Sequence, residues 1–67
     1  MKLEHILTQR ETEVATLAKQ GLADQEIAAY LDISPHTAKN HLKQIYKKLD
    51  VNTRAKLVAL LHQNENK

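Results

Sequence analysis

Only three residues, Asp32-Ile33-Ser34, separate two stretches of helical pattern in this chain. So short a link leaves room for nothing but a tight turn. Before it, Ile27, Ala28 and Leu31 fall on one face of a helix over residues 24–31. After it, Ser34 is a good N-cap, and Pro35 stands at the first helical position, where its missing amide costs nothing. The helix that Pro35 opens extends over residues 35–49. Two short helices joined this closely form a helix-turn-helix.

The flanking segments are helical as well. Thr8-Gln9-Arg10-Glu11 has the form of a capping box, in which the Thr8 hydroxyl caps the Glu11 amide and Glu11 reaches back. Val14, Leu17 and Ala18 follow at helical spacing, with Ile6 or Leu7 placed as a hydrophobic staple. Gly21 ends this first helix, over residues 9–20, because glycine adopts the left-handed conformation cheaply. The cap of the second helix is weaker: Ala23 has no acceptor, and Asp24 either caps or lies in the first turn, where it favours the helix dipole. Asn52 or Thr53 can cap a fourth helix to about His62, with Leu57, Val58 and Leu61 inward and Leu60 well off that stripe. The expected architecture is all-α, a four-helix bundle-like domain whose helices two and three form the helix-turn-helix.

Length bounds the rest. A chain of 67 residues is one domain, with a core over 7–61 and a polar tail over 62–67 that frays from Gln63. It buries little surface and has no cysteine, so packed aliphatic side chains must hold it together. There is no apolar run of the ~20 residues that span a bilayer and no signal-peptide pattern, which points to the cytoplasm. No nucleophile and base stand at a catalytic spacing, and no glycine-rich loop could cradle a phosphate. His36 and His41 are five positions apart, off a common face for a metal. No enzymatic activity, cofactor, metal or small-molecule ligand is expected.

Charge is unevenly spread. Residues 1–33 carry three basic side chains against six acidic ones, a balance of −3, whereas residues 34–67 carry seven against two, a balance of +5. Such asymmetry fits a polyanion partner or an ordinary solvated face. The third helix sharpens the choice. Ala38, Leu42, Ile45 and Leu49 make its core stripe, while His36, Lys39, Asn40, Lys43 and Lys47 occupy the opposite side. Neither of the first two helices has a comparable basic face.

The ordered residues resemble the LuxR/FixJ-type (GerE-like) helix-turn-helix domain of bacterial transcription regulators. They begin with Leu7-Thr8-x-Arg10-Glu11-x-Glu13-Val14, then Leu17-Ala18 and Gly21. They continue with Glu26-Ile27-Ala28, Leu31, Ile33-Ser34, Thr37, Lys39 and His41, and close with Ile45-Tyr46-x-Lys48-Leu49-x-Val51-x-x-Arg54. The chain departs from the family pattern at Ala23, where Ser or Thr is usual, at Asp24, where Asn is common, and at Ala38, where Val is usual. The resemblance implies sequence-specific binding of duplex DNA as a transcription regulator or the output domain of one, such as a response regulator. It also implies a homodimer through helix four on a two-fold site, and RNA polymerase as a further partner.

The same resemblance puts Lys39, Asn40 and Lys43 at the base-reading positions. Groove chemistry agrees, since lysine donates to guanine O6 and N7, Asn40 matches adenine, and the N-terminal half of a recognition helix goes deepest. His36 falls at the rim. Thr37, Tyr46, Lys47, Lys48 and Gln25 are the candidates for backbone contacts, although a structural role for Tyr46 stands equally open and Asp24 works against Gln25. His41 reads as structural, and His5 and His62 as surface. Leu60 is either an ordinary exposed leucine or, as the resemblance favours, part of a dimer patch with Ala59 and Gln63. Arg54 falls inward on helix four and needs a carboxylate partner, expected to be Glu11 or Glu26. Two other functions stay in view: a helical protein-interaction module, and a sigma-factor-like promoter-binding piece.

Overall fold

The computed structural model describes residues 6–65, and among them there are four α-helices and no strand. Helix α1 spans Gln9–Lys19, α2 Asp24–Leu31, α3 Pro35–Leu49 and α4 Arg54–Glu65. Helix α3 packs on both α2 and α1, and α4 packs on α1. The helix-turn-helix expected from the short link is therefore the α2–α3 unit.

Local chemistry explains each start. The capping box on α1 is complete: Glu11 N donates to Thr8 Oγ1 at 3.1 Å, and Thr8 N donates to Glu11 Oε1 at 2.9 Å. At α2 the N-cap is Ala23, with no side-chain acceptor, and Asp24 is the first helical residue. Half a box survives there, because Ala23 N donates to Glu26 Oε1 at 2.7 Å. Ser34 Oγ accepts from Thr37 N at 3.1 Å to open α3. Of the two candidates before α4 it is Thr53 that caps, with Lys56 N donating to its Oγ1 at 3.1 Å.

The first three helices end alike. After α1, Leu22 N donates to the Leu17 carbonyl and Gly21 N to that of Ala18. After α2, Ile33 N reaches the Ala28 carbonyl and Asp32 N that of Ala29; after α3, Val51 N reaches Tyr46 and Asp50 N reaches Lys47. This is the Schellman pattern each time. Its left-handed residue is Gly21 at φ 96°, Asp32 at 58° and Asp50 at 57°. The next residue is apolar in every case, and Leu22, Ile33 and Val51 all pack against the core.

The core itself draws on all four helices. Val14, Ile27, Ala38, Ile45 and Leu57 are fully buried, with Leu7, Leu17, Leu42 and Leu61 nearly so. Leu31 and Leu49 close its edges and are half-buried. The only buried polar or charged residue among those described is Glu11.

Two expectations are corrected. Helix α4 does not end at about His62 but continues to Glu65; nothing in Gln63, Asn64 or Glu65 forces a helix to stop. Arg54 pairs with neither Glu11 nor Glu26. Its Nη1 donates to Asp24 Oδ1 at 3.1 Å and its Nη2 to the Leu22 carbonyl. Glu11 is already engaged by Lys48 and Glu26 by the Ala23 amide, so the start of α4 is tied to the start of α2. His5, read as surface, and residues 66–67 of the expected tail lie outside the described residues.

Candidate nucleic-acid interface

Helix α3 is two-sided. Ala38, Leu42 and Ile45 are buried, while His36, Lys39, Asn40, Lys43, Gln44 and Lys47 are exposed. Its first turn holds no acidic residue and its last turn holds Lys47 and Lys48. The structure thus brings Lys39, Asn40 and Lys43 together on the solvent side of one helix. Among the described residues, none of the ion pairs or side-chain hydrogen bonds engages Lys39, Lys43 or Lys47. Their ammonium groups keep all their donors for another molecule.

The remaining candidates divide. Gln25 and His36 are exposed and line, with Asp24, Pro35 and Lys39, a cleft of about 370 Å³ between the starts of α2 and α3. Thr37 is half-buried, and its hydroxyl lies 2.9 Å from that of Ser34, so it is engaged within the helix start. Tyr46 is half-buried against the core. His41 is half-buried and His62 exposed.

Lys48 has an attachment that local pattern did not show. Its Nζ lies 2.7 Å from Glu11 Oε1, and the Glu11 side chain is almost wholly buried. Burial by itself pushes the Glu11 carboxyl up. The Lys48 hydrogen bond, the Thr8 amide and the Lys48 charge outweigh that, and the net direction is down from the ordinary glutamate value. The pair ties the C-terminal end of α3 to the N-terminal end of α1.

On α4, Ala59 and Gln63 are exposed, whereas Leu60 is half-buried. One further surface feature was not singled out from sequence. Tyr30 is 73% exposed and flanks a groove with Thr12, Glu13, Thr16 and Gln20 to which α3 contributes no residue. An exposed aromatic leaves no periodic signal, because it lies off the apolar stripe. No helix among the described residues is long and apolar enough to cross a membrane.

The chain is similar to known regulatory proteins. The family model described as "Bacterial regulatory proteins, luxR family" matches residues 5–61. The transcriptional regulatory protein DegU of Brevibacillus brevis is 44% identical over 54 residues, which are 81% of this chain and 23% of DegU. The monoamine regulon transcriptional regulator of Klebsiella aerogenes is 40% identical over 57 residues, 85% of this chain and 25% of that protein. The nitrate/nitrite response regulator NarL of Escherichia coli K12 is 39% identical over 57 residues, 85% of this chain and 26% of NarL. The chain therefore spans about a quarter of the length of these relatives. All three are named as regulators, and none is named as an enzyme.

Proposed function

The chain belongs to the luxR family of bacterial regulatory proteins, and from that premise we propose that it reads duplex DNA by laying α3 in the major groove. One observation carries the reading: α3 buries an aliphatic stripe while its opposite side exposes Lys39, Asn40, Lys43 and Lys47. A major groove admits an α-helix and shows a distinct donor and acceptor pattern for each base pair. Lys39 and Lys43 donate to guanine O6 and N7, and the Asn40 amide pairs with adenine N6 and N7. Lys47 neutralises phosphate, with His36, Thr37 and Gln25 at the rim. Phosphate contacts of this kind set position without reading sequence. Tyr46, half-buried against the core, would reach the backbone through its hydroxyl alone. Lys48 keeps two donors beyond the one given to Glu11, so it reaches the backbone only while also holding α3 in place.

A second copy bound through Ala59, Leu60 and Gln63 of α4 would give a two-fold reader. The likeness to NarL, named as a response regulator, supports a role as the DNA-binding output of such a regulator. That role sets the chain in the cytoplasm with RNA polymerase as its further partner. A protein-interaction module is the second reading, favoured by the exposed Tyr30.

Fluorescence anisotropy of labelled random duplex DNA, at low and moderate salt, tests the proposal. Binding is expected to weaken with salt by about 0.9 log-log units per phosphate neutralised. Lys39→Ala/Lys43→Ala is expected to bind at least about ten-fold more weakly, since a good base contact is worth about 1–3 kcal/mol. Folded protein that binds no duplex at low salt would overturn the DNA reading in favour of a protein partner at Tyr30.

A further inference from the structure

Two recesses meet at the start of α2. One is lined by Gly21, Leu22, Ala23, Asp24, Gln25 and Arg54, the other by Asp24, Gln25, Pro35, His36 and Lys39. Because Asp24 and Gln25 line both, they form one track from the start of α4, past α2, to the start of α3. Arg54 stands at one end and Lys39 at the other, and Asp24 is the only carboxylate along it among the described residues. In a helix-turn-helix the helix before the recognition helix crosses the DNA backbone. If α3 enters the groove as proposed above, a phosphate strand follows this track.

Asp24 then stands in two relations to DNA. Its charge repels a passing phosphate. It also engages Arg54 Nη1 at 3.1 Å, and guanidinium is the side chain best shaped to grip a phosphate. Both members are only about two-thirds buried, with side-chain exposures of 33% and 34%, so the pair lies within reach of a ligand at the surface. The fold does not depend on this carboxylate to cap α2, because Glu26 holds the Ala23 amide, and partly exposed ion pairs add little stability. We propose that Asp24 is a resident competitor of the DNA backbone: it holds Arg54 and lines the phosphate track, so that DNA must displace it to gain that cation. Asp24 thereby sets affinity below what the basic surface could reach. This rests on the DNA-binding reading.

Anisotropy titrations of the wild type and Asp24→Asn against the same duplex, over a range of salt, make the test. Asp24→Asn is expected to bind about five-fold more tightly at low salt, the size of one charge contact in water. Its log-log salt slope is expected to steepen by about 0.9, one more phosphate neutralised. Equal or weaker binding by a variant with unchanged circular dichroism overturns the proposal. Should Asp24→Asn fail to fold, carbon-13 NMR of the wild-type Asp24 carboxyl decides instead. A shift on saturation with DNA, together with one at the Arg54 guanidinium, supports displacement, and unchanged signals overturn it. A wild-type chain that binds no duplex sinks both readings; a wild type that binds while Asp24→Asn binds no better sinks this one alone.

Discussion

Glu11 is 6% exposed, and its Oε1 accepts from both Thr8 N and Lys48 Nζ. One oxygen thus closes the first turn of α1 and anchors the last turn of α3. Glu11→Gln keeps an acceptor for the Thr8 amide but loses the charge that faces Lys48. Hydrogen bonds to charged groups contribute about 1.5–3 kcal/mol, so a loss of about 2 kcal/mol is expected in urea unfolding. The same group sets an acid limit. Its carboxyl lies below the ordinary value in the folded state, so the unfolded state takes up protons first as pH falls. The stabilisation is full well above the ordinary glutamate value of about 4.3 and is lost as pH falls from there through the folded value. Unfolding midpoints measured from pH 6 down to pH 3 should decline for the wild type and show a weaker dependence for Glu11→Gln. Parallel profiles would refute this account. Glu11 was legible as a capping residue because that partner is three positions away. Its link to Lys48 spans 37 positions, and no local pattern encodes which lysine of α3 folds back.

At the scale of elements, starts were more legible than stops. Thr8 and Ser34 announce their helices through short-range acceptors, and both cap as their positions imply. The face of α3 was equally plain, because spacing alone sorts Ala38, Leu42 and Ile45 from Lys39, Asn40 and Lys43. Gly21 marked a stop because glycine tolerates positive φ. Asp32 and Asp50 take the same conformation at φ 58° and 57°, and an aspartate is a far weaker sign of it. The pairing of Arg54 was misread for a related reason: a helical wheel tells that the side chain points inward, not which helix start it meets. Asp50 adds a testable cost. A left-handed non-glycine residue is strained, and a negative charge at a helix C-terminus opposes the dipole. Asp50→Gly should therefore raise stability by about 0.5–1 kcal/mol, read as a higher urea midpoint with unchanged slope. A lower midpoint would mean that the Asp50 side chain makes a contribution that its backbone geometry does not reveal.

For the whole molecule the open quantity is how many copies a DNA site holds. The candidate self-contact on α4 is small: Ala59 and Gln63 are exposed, and Leu60 offers only part of its surface. Stable interfaces bury about 800 Å² on each partner, well beyond what three such residues on one helix provide. Free chains should therefore stay monomeric at micromolar concentration in sedimentation velocity. Two half-sites on one duplex change the balance, because binding the first copy presents the second at a high effective concentration. A two-fold DNA site matches a two-fold protein pair when the half-sites lie about one helical turn apart. Two copies per symmetric site are then expected, with cooperativity that falls in Leu60→Glu while binding to an isolated half-site stays the same. Leu57 and Leu61, not Leu60, carry the burial of α4 in the core, so this substitution separates self-contact from folding. One copy per symmetric site, or cooperativity untouched by Leu60→Glu, would move the contact away from α4.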